Sequence, residues 1–386
     1  MTAPVRLLGV SLLAALLLSG CSTVGEWWGG KDNAEPPAPL PAITASLTPN
    51  LQWNRQAGAG PDQRYLQLNV ALDGQRAFAA ERKGTVFAWD AANGGLLWTG
   101  DAKTPLSGGP GTGDGQVYAG GSEGVIVAFK AADGAEAWRA RVTSEVLAAP
   151  RSAQGVVVVR TSDGRLFGLS AQDGKRLWVY DRTVPVLTLR GSSAPVIAGN
   201  LVVAGFDSGR LVALNLKDGV PIWEKSVASP KGRSEIERLV DIDADPVVEN
   251  GVAFVPSFQG VSALELASGR SLWRRDMPAH AGLTVDGAYV YVTDEHSQVW
   301  ALDRNNGNTL WKQDQLRARK LTAPAAVDRV LAVGDFEGWL HWIAKDDGRL
   351  IGRSRVDDAG LRSAPLAAGG VVYVYGNGGA VHAYRP

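Results

Sequence analysis

The chain has 386 residues, and its 39 basic and 39 acidic side chains cancel to a net charge of zero. No basic footprint for nucleic acid is present. The single cysteine excludes an internal disulfide framework and a multi-cysteine zinc centre, so the body of the protein must hold itself together by packing.

One Arg (Arg6) precedes the apolar run LLGVSLLAALLL. The run is too short to span a membrane as a helix and has the form of a signal-peptide core. It ends in small residues before Cys21, and Leu18-Ser19-Gly20-Cys21 resembles a bacterial lipobox. That resemblance implies removal of residues 1–20 and lipid attachment to Cys21. With Ser22 rather than Asp next in the chain, it also implies delivery to the outer membrane, facing the periplasm. Residues 21–50 include KDNAEPPAPLPAITASLTPN, rich in Pro, Ala and small polar residues, and read as a lipid-anchored flexible linker that cannot bury a core. About 30 such residues have a root-mean-square reach of roughly 30 Å. Glu26-Trp27-Trp28, close to the anchor, suits the headgroup zone of a bilayer, a partner contact, or neither.

Residues 51–386 carry a repeat. NGGLLW ends at Trp98, and related stretches end at Trp138, Trp178, Trp223, Trp273 and Trp311. DGRLIG ends at Gly352 without the Trp, and an isolated LQW ends at Trp53. These positions are spaced 45, 40, 40, 45, 50, 38 and 41 residues apart, the range of four-stranded propeller blades. Helical repeats of similar length are excluded by the local pattern. GTVFAWD, GRLVALN and GVVYVYG are short, rich in β-branched and aromatic residues, and open on turn residues, with no 3.6-residue period. Each unit reads as strands A, B and C, a turn, and a strand D carrying the Trp. A proline near the start of strand A (Pro110, Pro150, Pro195, Pro246, Pro324, Pro365) precedes the glycine that opens strand C by 14 residues in almost every unit. Proline fits a strand start, where its missing N–H costs little.

Strand C occurs eight times, the last being AVHAYRP at the C-terminus with no strand D after it; LQW is a strand D with no strand C before it. The ends must pair. The expected fold is therefore all-β, an eight-bladed propeller over 51–386 whose N-terminal strand completes the last blade and closes the ring. The recurrent tryptophans (Trp53, Trp98, Trp138, Trp178, Trp223, Trp273, Trp311) are expected to dock between blades. At Gly352 the contact should be looser or filled by Trp339 or Trp342.

The strand-C-and-turn pattern, as in ALNLKDGVPIW, resembles the repeat of pyrroloquinoline-quinone (PQQ) propellers. The likeness covers the whole body and concerns blade packing rather than cofactor binding. Regularity fails in two places. From the Trp to the next Pro takes 12 residues after Trp98 and Trp138, but 17 after Trp178 and 23 after Trp223. Both insertions lie between strand D and the next strand A, in consecutive positions, and so on one face of the ring. Leu187, Leu189 and Arg190 in the first, with Asp241 and Asp243 in the second, read as a protein-docking surface or as loop growth tied by internal pairs such as Arg190 with Asp241.

These stretches, VLTLRGSSAP and RLVDIDADP, together with PLPAI in the linker and the lipobox, resemble the BamB family, the propeller lipoproteins of the outer-membrane β-barrel assembly machinery. The resemblance spans anchor, linker and all eight blades. It implies a non-catalytic scaffold that binds the periplasmic POTRA domains of BamA and assists insertion of outer-membrane proteins. By position, Leu187, Leu189, Arg190, Asp241 and Asp243 would be the contact residues.

Chemistry is otherwise sparse. His280, His296, His341 and His382 lack metal-ligand spacing, and the last two, in strand C, are expected to pack or to hydrogen-bond. DIDADP imitates a calcium loop, but Pro246 stands where Gly is needed and Val252 where the bidentate Glu should be. GGPGTGDGQ opens a strand rather than a helix, so it is no phosphate cradle. No cofactor, metal or catalytic residue is expected. The competing functional class is a PQQ-dependent quinoprotein dehydrogenase, which shares the repeat. A sugar or peptide binder using the central channel is a third class that nothing in the sequence demands.

Overall fold

The Asp-Gly turns close by side-chain capping. The residue before the glycine accepts the N–H two positions on, as Asp133 Oδ1 does from Ala135 (3.0 Å) and Asp347 Oδ1 from Arg349 (3.0 Å). The glycine itself takes a left-handed φ, +74° at Gly134. A Cβ there would stand 2.5 Å from the ring of Trp98, a residue of the preceding blade, so glycine serves both the turn and the approach of the indole.

The structure, a computed structural model, describes residues 35–62, 64–66, 68–181, 193–228, 240–279 and 281–386. Residues 38–386 form one compact unit. Cys21, Trp27, Trp28, Leu187, Leu189, Arg190 and His280 lie outside the described residues. All regular elements among the described residues are strands, arranged as eight four-stranded antiparallel sheets. Blade one consists of Ala71–Asp73, Arg76–Ala80, Thr85–Asp90 and Leu96–Asp101, in that spatial order. Strands B and C are buried along nearly their whole length, as in Val156–Arg160, because neighbouring blades cover both faces. Strand D is the outer edge, and in Arg176–Tyr180 only Trp178 is buried.

Blade eight joins the two ends of the chain. Leu366–Ala368, Val371–Tyr375 and Ala380–Arg385 are completed by Asn50–Gln56, with Trp53 opposite Ala383 and Gln56 opposite Ala380. The expected closure is the observed one. Strand A residues of several blades line an axial cavity of about 450 Å³. The glycine run of blade two lies in the strand Leu106–Gly113, where a Cβ on Gly111 would collide with the Pro150 carbonyl oxygen of blade three. Close backbone approach accounts for that run.

Every repeat tryptophan reaches one blade forward. Its indole N–H donates to the carbonyl just after strand C of the next blade: Trp53 to Ala91, Trp98 to Ala131, Trp138 to Ala171, Trp178 to Leu216, Trp223 to Leu266, Trp273 to Arg304 and Trp311 to Lys345, all at 2.7–3.0 Å. The dock is thus the C–D turn of the following blade. Blade eight has no such turn, since its strands C and D come from opposite chain ends. A tryptophan at Gly352 of blade seven would have nothing to dock on. The space over Gly352 is shared by the Leu47 carbonyl, 2.9 Å from the Cβ position, and by Trp342, which is fully buried edge-on to Tyr384.

Candidate partner-binding rim

In a four-stranded blade the B–C turn and the connection from strand D to the next strand A emerge on the same side of the ring. The structure brings these together between blades three, four and five. Arg160 ends strand B of blade three and is buried. Its guanidinium donates to the Ser193 carbonyl (3.2 Å) at the end of the first enlarged loop and pairs with Asp207 in the B–C turn of blade four. The Arg160 and Asp207 side chains are only 4% and 7% exposed. Asp207, Asp241 and Asp243 each direct a carboxylate oxygen to one place, all within 4.8 Å of one another.

The second enlarged loop re-enters the fold through Val240, Asp241 and Ile242, all buried. Ile242 sits on the backbone of Gly205, where a Cβ would collide with its methyl group. Asp245 then accepts the Ala194 N–H (2.6 Å) and faces Arg151 (3.4 Å), which ties the ends of the two loops to each other. The bases of both loops are therefore one connected polar unit, built from groups far apart in sequence.

The electrostatics of that unit are strained. Burial, with the charges of Asp241 and Asp207 nearby, pushes the Asp243 carboxyl up to about 7, against the opposing pull of Arg160. Burial also raises Asp245, countered by Arg151. Asp243 Oδ1 is shielded from solvent and has no hydrogen-bond partner among the described residues.

The expected contact residues fall into two groups. Leu187, Leu189 and Arg190 belong to 182–192, outside the described residues, as does 229–239 of the second loop. Asp241 is 1% exposed and Asp243 partly buried, so the structure puts these acids under the rim rather than on it. Sequence reading missed Arg160 and Asp207. A signal existed: Arg160 is the one charged residue that closes a strand B, where other blades carry Ala80, Gly205, Thr293 or Tyr375. His341 is fully buried and bonds Asp335 (2.9 Å), and His382 bonds the Tyr384 hydroxyl (3.0 Å). His296 lies beside Glu295 at 3.6 Å.

A family profile described as outer membrane protein assembly factor BamB matches residues 82–313 and 307–385. The protein of that name from Pseudomonas aeruginosa is 48% identical over 374 residues, covering 97% of each chain. The chain belongs to the BamB family. The Escherichia coli member is 37% identical and covered over 98% of both chains. The crystal structure of BamB from Moraxella catarrhalis superposes with a TM-score of 0.80 at 25% identity, covering 88% of this chain and all of that one. BamB proteins are named as assembly factors, not enzymes. A quinohemoprotein alcohol dehydrogenase from Comamonas testosteroni shares the fold alone, at 14% identity and a TM-score of 0.65 over 87% of this chain and 76% of that one. Among the described residues, the walls of the axial cavity are largely Ala, Pro, Leu and Val, with Asp245, Asp286 and Arg362 as the charged groups, and offer no aromatic face on which a quinone could stack, so they do not fit PQQ.

Proposed function

We propose that this protein is a non-catalytic scaffold subunit of the outer-membrane β-barrel assembly complex. It is held at the periplasmic face of the outer membrane by lipid on Cys21. It binds the POTRA domains of BamA through the loops 182–192 and 229–239, and so assists insertion of outer-membrane proteins. The observation that carries the reading is the near-complete match to outer membrane protein assembly factors, 48% identical across 97% of the chain. The shared anchoring of the two enlarged loops by Arg160 and Asp245 supports the choice of surface.

In this reading Leu187, Leu189 and Arg190 meet the partner. Asp241 and Asp243, at the base of the second loop, act at the same interface from beneath it. The test is affinity of the purified chain for the isolated POTRA domains of BamA. Leu189→Ala and Arg190→Ala should each weaken binding about tenfold or more while circular dichroism stays unchanged, the behaviour of central contact residues. Wild-type dissociation constants for both variants would remove these loops from the interface.

A further inference from the structure

We infer that residues 38–49 are a strap that belongs to the propeller, substitutes for the missing tryptophan dock between blades seven and eight, and fixes where the N-terminal chain leaves the ring. Composition assigns this stretch to a flexible linker, yet it is held at several points. Ala38 N–H donates to the Arg317 carbonyl (3.0 Å), and its own carbonyl accepts from Arg319 (3.0 Å). The Pro41 carbonyl accepts from Arg353 (3.1 Å). Ser46 and Leu47 N–H groups both donate to the Ile351 carbonyl (3.0 Å each) on the outer strand of blade seven. Leu47 packs on the cluster of Trp342, Ile351 and Tyr384 that joins blades seven and eight.

The two arginines are fixed in advance. Arg319 is 2% exposed and is clamped by Asp335 (2.8 Å) and Glu337. Arg353 donates through Nε to His341 Nδ1 (3.4 Å). Because a guanidinium has no acceptor, Nδ1 must carry the lone pair and Nε2 the proton given to Asp335. Charged donors locked in this way waste little entropy when they grip a carbonyl, unlike free surface arginines.

The path of the strap follows from its contacts. Arg317 and Arg319 lie in the connection from blade six to blade seven, on the same rim as the two enlarged loops. Ile351, near the start of its strand, lies toward the opposite rim, where Asn50 begins the closing strand beside Arg385. The chain therefore enters at the loop-bearing rim and crosses the outer wall before joining blade eight. One consequence rests on the lipid-anchor reading. Only residues 21–37 then separate lipid from ring, about 60 Å when fully extended, rather than the roughly 100 Å of 21–50.

Hydrogen exchange with peptide resolution tests the strap on the full lipidated chain in detergent. In the wild type, amides of the 38–49 peptide, Ser46 and Leu47 above all, should exchange at least about tenfold more slowly than in the free peptide. Arg353→Ala should accelerate that peptide about tenfold, the worth of one charge-assisted hydrogen bond, and leave blades two to four unchanged. Free-peptide exchange rates in the wild type would overturn the inference, as would an Arg353→Ala profile identical to wild type. Neither outcome depends on whether Cys21 carries lipid, which mass analysis of the same sample reads separately.

Discussion

Trp98 of blade one donates its indole N–H to the Ala131 carbonyl of blade two, 3.0 Å away, and its ring lies against Gly134 in the same turn. One side chain thus supplies apolar area, a hydrogen bond and a steric reason for the glycine of its neighbour. Repeated around the ring, this contact converts separate sheets into a closed cooperative body.

Trp98→Ala should destabilise the propeller by about 3 kcal/mol, the usual loss for a large buried aromatic. Trp98→Phe keeps a ring but strands the Ala131 carbonyl, and should lose about 1 kcal/mol. Denaturant midpoints of the two variants, compared at equal slope, check both values. A null effect of Trp98→Ala would remove the tryptophan from interblade docking.

The glycines permit a sharper comparison. Gly134 and Gly115 have similar conformations, φ +74° and +72°, but only Gly134 has an indole where its Cβ would go; nothing lies within 4 Å at Gly115. Gly115→Ala should lose about 1 kcal/mol from backbone strain alone. Gly134→Ala should lose about 1–3 kcal/mol more, from forcing the Trp98 ring out of its packing. Denaturant midpoints again read the difference, and equal losses would mean that the indole gives way freely.

Much of this architecture is legible in the sequence because its causes are local. An Asp-Gly turn caps itself, a Trp four residues after the glycine marks strand D, and counting unpaired strands at the ends forces the closure through Asn50–Gln56. The gap at Gly352 is visible too, but its reason is not. It depends on blade eight having no C–D turn and on Leu47 arriving from a segment that reads as linker. Asp241 looks like an exposed acid because loop composition is all that the sequence displays. It is buried instead where the end of the second loop packs on blade four, close to Asp207, a neighbour that local sequence does not display. The two loops themselves announce their position through spacing, since an insertion between fixed strands has nowhere else to go.

Arg160 should be the least replaceable charge on this rim. It is buried against Asp207 and holds the Ser193 carbonyl. Arg160→Ala leaves the buried Asp207 carboxylate without this cation and should lose about 3–5 kcal/mol. Arg160→Ala combined with Asp207→Ala should recover part of that loss, and a double-mutant cycle on thermal midpoints measures the coupling. Strictly additive losses would show that the pair contributes nothing beyond its separate parts.

Asp243 gives the rim a pH dependence with a definite sign. Its carboxyl is raised from 3.8 to about 7 by burial and by the neighbouring Asp241 and Asp207 charges. A raised value in the folded state means that its contribution is fully present below about pH 4 and is lost as pH climbs through about 7. Asp243→Asn removes the ionisation, so the variant should gain on the wild type progressively from about pH 4 to about pH 7 and hold a constant lead above that. The lead should be on the order of a few kcal/mol at most, since each tenfold change in proton affinity between folded and unfolded chain is worth about 1.4 kcal/mol. Unfolding midpoints of both proteins, measured at about pH 4.5, 6 and 8 to bracket the titration, check it. A lead that shrinks as pH rises would reverse the sign and show that Asp243 is held ionised by a cation close beside it.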